Sequence, residues 1–216
     1  MELMRDNMTE KNKWIEWARE LQAICQTGLF FNNNEYDIER YRKIGEIAVE
    51  MLSDRSALSK EDILTWQRAE FGYATPKVDV RGVVFREDMI LLVREIADNN
   101  RWTLPGGWAD VNESPSEAVA REVCEESGFE VKVKKLLAVY DREKQKHVPP
   151  MPYHIYKINF LCEILGGAAK TSNETSEVGF FAENNLPDLA LSRVTPKQLE
   201  VFFRIREQSC IEAEFD

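Results

Sequence analysis

Glu122 and Glu126 lie four residues apart in the stretch Arg121-Glu122-Val123-Cys124-Glu125-Glu126, downstream of the helix signals Ser114-Pro115-Ser116-Glu117. On a helix that spacing places both carboxylates on one face, with Cβ atoms about 5–6 Å apart. Arg121 and Glu125 form a second pair at the same spacing, of opposite charge. Carboxylates gathered on one helix edge repel one another unless a cation sits among them, and oxygen-only ligands suit Mg²⁺ or Mn²⁺ rather than Zn²⁺. Ala120, Val123 and Cys124 are expected on the other side, buried against a sheet. Most charge-rich helices are solvated faces laced with salt bridges, and Glu117 takes that reading.

Spacing separates the remaining residues from that background. Residues 107–129 read Gly-x5-Glu-x7-Arg-Glu-U-x-Glu-Glu-x-Gly-U at every position, where U is bulky and apolar. Seven specified residues, each at a usage of about one in fourteen, coincide by chance at ~10⁻⁸ per starting position. The segment resembles the Nudix box, complete and without departure. Leu104-Pro105-Gly106-Gly107 and the flanking strand patterns extend the resemblance to that family's α-β-α sandwich over residues 76–210.

The resemblance implies roles for individual residues. Glu122 and Glu126 match the main metal-binding carboxylates, Glu125 a third that binds directly or through water, and the Gly107 carbonyl a further ligand. Arg121 matches the arginine that holds the glutamates by ion pairing. Glu113 matches the carboxylate that supports the loop–helix geometry and sometimes the metal water. Bound Mg²⁺, with Mn²⁺ as substitute, would neutralise a pyrophosphate, orient it and activate a water. The family often takes its catalytic base from a loop after the box. Here Ser172-Asn-Glu174-Thr-Ser-Glu177 is the acidic loop in place: Glu174 is preferred, Glu177 stands next to it, and an ordinary polar loop is the alternative. For the substrate, Asp79 and Arg81 share a strand face, as a structural pair or with Arg81 as a phosphate fork, while Trp108 stacks on a base or packs the rim.

The elements that must position these residues follow from periodicity. Three helices are expected first: one capped by Thr9 with Trp14, Ile15, Trp17, Ala18, Leu21, Ile24 and Cys25 on its face and Gly28 as its stop, one after Asp37, and one starting at Ser59 with Asp62 three residues on. After Gly72 the pattern turns to strands, Val78–Phe85 and Met89–Val93, joined by a turn. A helix from Ser114 to Ser127 ends at Gly128. Strands at 131–140, 156–164 and 178–181 follow, then a helix from Thr195. In the second of these strands Tyr156, Ile158, Phe160, Cys162 and Ile164 alternate with Lys157, Asn159, Leu161 and Glu163. The domain reading is a helical unit at 1–72 and an α/β (α+β) Nudix domain with a mixed sheet at 73–216. The helical unit resembles, more loosely, the N-terminal domain of Nudix enzymes acting on nucleoside diphosphates linked to a moiety X. Its aromatics exceed what so small a unit encloses, so a homodimer is expected.

Composition bounds the rest. With 28 Lys plus Arg against 38 Asp plus Glu, the net charge is −10 and no basic stripe is present, which argues against a nucleic-acid surface. No apolar run reaches the roughly 18 residues of a membrane span, and the first residues lack a signal-peptide pattern, so a cytoplasmic protein is expected. Four scattered cysteines and two histidines, His147 and His154, argue against a zinc site or a Ser-His-Asp mechanism and for free buried thiols. The function expected is an Mg²⁺-dependent pyrophosphatase that splits a nucleoside diphosphate–X into a nucleoside monophosphate and phospho-X, with ADP-ribose and CDP-choline-type compounds first. Lys144-Gln145-Lys146 stands where ADP-ribose hydrolases of the family often carry a proline, which keeps CDP-alcohols in view. A cap- or RNA-directed Nudix nuclease and a non-catalytic Nudix sensor are the alternatives; the acidity and the intact glutamates weigh against them.

Overall fold

Two serines start helices in the way their spacing dictates. Ser59 and Ser114 each accept a hydrogen bond from the backbone N–H three residues on, and Asp62 and Glu117 reach back to the respective serine N–H. Such caps stabilise a helix start by about 1 kcal/mol. In the computed structural model, residues 2–55, 58–70, 72–206 and 212–216 are described, with side chains from Lys13 onward except that of Arg55. The chain divides into two units, Met1–Pro76 with Pro149–His154, and Lys77–Val148 with Ile155–Asp216. The boundary expected at residue 72 thus falls after Pro76, and a short later segment joins the helices.

The first unit holds α1 (Glu2–Phe31), α2 (Glu35–Arg55) and α3 (Lys60–Ala69). Thr9 lies inside α1, and Gly28 does not stop it. Gly28 answers a different need: a Cβ there would come within 2.5 Å of the Tyr41 ring, so its absence lets α2 approach. The start of α2 is set by Asn34, whose Oδ1 accepts the N–H groups of Tyr36 and Asp37. The face expected on α1 is in fact two stripes. Ile15, Ala18 and Cys25 are buried, Ile15 and Ala18 in a cluster with Val49, Leu52 and Ile63. Trp14, Trp17 and Ile24 are exposed on the other. Residues 149–154 complete the unit: Arg19 Nε donates to the Met151 carbonyl at 2.9 Å, and the Tyr153 ring lies 5.3 Å from that of Trp66.

The second unit holds β1 (Lys77–Arg86), β2 (Met89–Glu95), β3 (Arg101–Thr103), α4 (Pro115–Ser127), β4 (Phe129–Asp141), β5 (Ile155–Gly167), β6 (Thr175–Ala182), α5 (Pro196–Arg206) and β7 (Glu214–Phe215). The sheet runs β3-β2-β1-β5-β4-β7, with β6 also paired to β2. It is mixed: β1 runs parallel to β5 and β4 parallel to β7, and the other pairs are antiparallel. Helices cover both faces. Val80, Val84, Leu91 and Phe160 pack with Val119 and Val123 of α4. Val83, Ile90, Leu92 and Leu137 pack with Leu199 and Phe202 of α5. This is the expected α-β-α sandwich.

Helix α4 sits close on the sheet because position 82 is glycine, where a Cβ would lie 2.3 Å from a Val123 methyl. Its buried positions are Ala118, Val119, Val123, Glu126 and Ser127. Cys124, expected to be buried, is exposed, being one helical step (~100°) past Val123; Cys25 and Cys162 are buried free thiols. The alternation of β5 also breaks: Tyr156 is exposed while Lys157 and Asn159 are buried. The reason is a polar cluster beneath the functional site. Among the described residues, no helix is long and apolar enough to cross a membrane.

Candidate active site

The backbone between β3 and α4 is stitched to β1. The Val80 N–H donates to the Gly107 carbonyl and the Gly82 N–H to the Pro105 carbonyl, both at 2.8 Å, and the Ala109 N–H donates to the Val78 carbonyl at 3.1 Å. Gly106 is indispensable to this close approach. Its φ of +139° is in the region glycine alone enters freely, and a Cβ would stand 2.1 Å from the Val80 carbonyl oxygen. The loop then meets the face of α4. The Gly106 N–H donates to Glu126 Oε2 at 2.8 Å. The carboxylate of Glu122 lies against Gly107, where a Cβ would be 2.9 Å from Oε2.

Arg121 organises the outer half of the site. Its guanidinium grips Glu113 through Nε and Nη2 at 2.9 and 3.0 Å, while Nη1 reaches Glu122 Oε1 at 2.9 Å and Glu125 Oε2 at 3.0 Å. Arg121 therefore faces its own carboxylates, as expected of a residue that holds the glutamates. Glu113 is its principal partner, which places Glu113 in the frame of the site. Glu125 is exposed.

The inner half is buried. Glu126 is only 4% exposed; burial pushes its carboxyl up to about 8, against the pull of Arg81 and the Gly106 N–H. Glu122 is raised for the same reason, partly offset by Arg121. Beneath them Arg81, 2% exposed, donates from Nε and Nη2 to the two oxygens of Asp79 at 2.8 and 2.6 Å, and from Nη1 to the Leu104 carbonyl at 3.1 Å. Lys157, registered opposite Asp79 on β5, donates to Asp79 Oδ1 at 2.7 Å. Burial alone would raise Asp79, but Arg81 and Lys157 hold it well below the usual carboxylate range. The Arg81 guanidinium is thus hydrogen-bonded to Asp79 and the Leu104 carbonyl, with the charges of buried Glu126 and Glu95 also acting on it. Lys157 and its neighbour Asn159 were hidden by the apolar alternation of β5; the register of β5 against Asp79 and Arg81 is the signal that reveals them.

The remaining expected residues lie on the rim. Trp108 is half-exposed and forms a backbone bridge with Asp79. Glu174 is exposed at the mouth of β6, its N–H capped by Ser172 Oγ and its carbonyl accepting from Ile96 N–H. Glu177 is no loop residue: it lies within β6, opposite Arg94 on β2, and pairs with Arg94 at 2.5 Å. A salt-bridged strand position leaves it unsuited to the role of a free base. One residue absent from the sequence reading stands close by. Glu95, at the end of β2, is buried, with Oε1 3.3 Å from Arg193; burial raises it, against Arg193 and Arg81. His147 is buried and pushed down to about 3 by burial, so it stays neutral near pH 7.

The donor set fits a hard divalent cation. Glu122 Oε1 is held by Arg121 and Glu126 Oε2 by Gly106, which fixes each carboxylate and leaves its second oxygen for a ligand. A buried and a partly buried carboxylate, both raised by desolvation, make a site short of positive charge. Among the described residues no three carboxylate, thiol or imidazole groups already converge as a cage, so ligation requires rotation of these side chains around the ion. The Gly107 carbonyl offers one lone pair, the other being taken by Val80.

A sandwich with this loop–helix site defines a class. The Nudix domain model matches residues 75–204, and a second model, for a UDP-X-like N-terminal oligomerisation domain, matches residues 12–66; the chain belongs to the Nudix hydrolase family. Nudix hydrolases generally use divalent cations. YjhB of Bacillus subtilis (strain 168), provisionally named an ADP-ribose pyrophosphatase, is 46% identical over 193 residues, 89% of this chain and 92% of its own. Among solved structures, a UDP-X diphosphatase is 32% identical with a TM-score of 0.61, covering 95% of this chain and 99% of its own. An ADP-ribose pyrophosphatase from Streptococcus suis 89-1591 is 37% identical with a TM-score of 0.60, covering 66% of this chain and all of its own.

Proposed function

We propose that the protein is a Mg²⁺-dependent pyrophosphatase of nucleoside diphosphate–X compounds, with ADP-ribose the first substrate to test, and UDP- and CDP-linked compounds next. The observation that carries this reading is the pair Glu122 and Glu126, the first partly buried and the second buried, each fixed through one oxygen and raised by desolvation. The names of the relatives above support the substrate class. Bound among these oxygens, Mg²⁺ (or Mn²⁺) supplies charge neutralisation of the diphosphate and a water of lowered pKa.

The chain's own residues do the rest. Glu122 and Glu126 hold the cation, with Glu125 joining directly or through water. Arg121, itself gripped by Glu113, keeps Glu122 and Glu125 from swinging out. The buried Arg81–Asp79–Lys157 cluster sets the loop that carries Gly106 and Gly107 and screens Glu126. Glu174, exposed and beside the end of β2, takes the proton of the attacking water, and Trp108 stacks against the base. The test is a panel of nucleotide–X compounds with and without Mg²⁺, scored for nucleoside monophosphate. Release from ADP-ribose or a UDP- or CDP-linked compound, abolished by chelation, is expected; failure across the panel with Mg²⁺ and Mn²⁺ would overturn the reading.

A further inference from the structure

Glu95 is the buried carboxylate in this region that the reading above leaves without a task. It closes β2 at the point where three elements meet. Its strand partner is Thr175 of β6, whose Oγ1 donates to the Glu126 backbone carbonyl at 2.7 Å. The next residue, Ile96, donates its N–H to the carbonyl of Glu174 at 2.9 Å. The end of β2, the end of α4 and the loop of Glu174 are therefore tied together, and Glu95 sits among them. Its charge acts on Glu126 and on Arg81, and that of Glu174 acts on it.

One oxygen of this carboxylate is explained. Oε1 lies 3.3 Å from Arg193 Nη2, and Arg193 also approaches Asp98 at 3.6 Å, which fixes the head group. Oε2 is fully enclosed and has no hydrogen-bond partner among the described residues, in a side chain only 4% exposed. Buried carboxylate oxygens are normally satisfied, and an orphan beside a functional site points to a donor that arrives with a ligand. A divalent cation brings such donors, because it keeps water ligands whose hydrogens are strongly polarised.

We propose that Glu95 is a positioning residue for the cation site: its Oε2 accepts a hydrogen bond from a water ligand of the divalent ion held by Glu122 and Glu126. Arg193 fixes the carboxylate through Oε1, so that the free oxygen is presented in one orientation. This rests on the assignment of Glu122 and Glu126 as metal ligands. Outer partners of this kind orient the ligands of a metal, and their loss weakens binding by roughly 10–100-fold.

The experiment is a titration of the full-length protein with Mn²⁺, following free Mn²⁺ by electron paramagnetic resonance, for the wild type, Glu126→Gln and Glu95→Gln, beside thermal melts of the metal-free proteins. Glu95→Gln is expected to raise the Mn²⁺ dissociation constant roughly 10–100-fold while its metal-free Tm stays at or above that of the wild type. A dissociation constant within twofold of wild type overturns the inference, as does a lowered Tm with affinity retained, which would make Glu95 only a partner for Arg193. Should Glu95→Gln not fold, Glu95→Asp keeps the charge but withdraws it by one methylene, and the same loss of affinity is expected. The controls separate this inference from the reading beneath it. A wild type that binds no Mn²⁺ removes the metal site altogether, whereas binding lost in Glu126→Gln and kept in Glu95→Gln removes the role of Glu95 alone.

Discussion

Glu126 is fixed by a single backbone N–H and otherwise enclosed, so in the metal-free protein its charge is a cost that the metal reverses. Its folded carboxyl, pushed up to about 8, lies above the ordinary value of 4.5. A carboxyl raised by folding contributes stability in full below the unfolded value and loses it as pH rises through the folded one. Metal-free protein should therefore lose stability between pH 5 and 9, by up to about 5 kcal/mol, or roughly 10–20 °C in Tm for a chain of this size. Glu126→Gln should flatten that slope and leave the fold intact, and saturating Mg²⁺ should reverse it in the wild type only. Turnover in the variant should fall about 10³-fold, the value of several kcal/mol of charge stabilisation. Melts across pH with and without Mg²⁺, beside steady-state rates, check both parts; full activity at saturating Mg²⁺ would sink the assignment of Glu126.

Strands β1 and β5 and the loop before α4 are joined by one buried network, which favours a structural role for the Arg81–Asp79 pair over a phosphate fork. Asp79 and Arg81 were legible as a pair because alternation puts them on one face. Their third partner was not, because Lys157 alternates with the apolar residues of β5, and only the parallel register with β1 places it opposite Asp79. The box itself was fully legible, since Gly107, Glu113, Arg121, Glu122 and Glu126 belong to one continuous loop and helix whose spacing sets their geometry. Glu95 and Arg193 were not, being brought together by pairings 98 residues apart that no local pattern encodes. Arg81→Ala should unpair Asp79 from its fork and the Leu104 carbonyl from its donor, destabilising the protein by about 3–5 kcal/mol. Thermal melts and KM measured together decide the matter: a raised KM with unchanged Tm would return Arg81 to the substrate.

The helices of the first unit leave several large apolar side chains exposed, among them Trp14, Trp17, Ile24, Phe30 and Phe31. On α1 the exposed stripe is Trp14, Trp17 and Ile24, with Phe31 further along, at intervals of three, seven and seven. Those intervals, with Leu21 between Trp17 and Ile24, make a seam of period 3.5, the pattern with which one helix packs along another. The seam is separate from the face that Ile15 and Ala18 turn to the unit's own core. Aromatic surface of this kind is favoured at interface centres and unfavourable in water. The segment also matches an oligomerisation domain model over residues 12–66. The expected assembly is a two-fold dimer built on this seam, since two-fold pairing lets one stripe serve as its own complement. Light scattering on the full chain at micromolar concentration should return twice the chain mass of 25.1 kDa. The double variant Trp17→Glu, Ile24→Glu alters only exposed positions, so it should scatter as a monomer with its far-ultraviolet circular dichroism unchanged. A monomeric wild type would end the dimer reading, and a double variant that remains dimeric would move the interface to another face of the molecule.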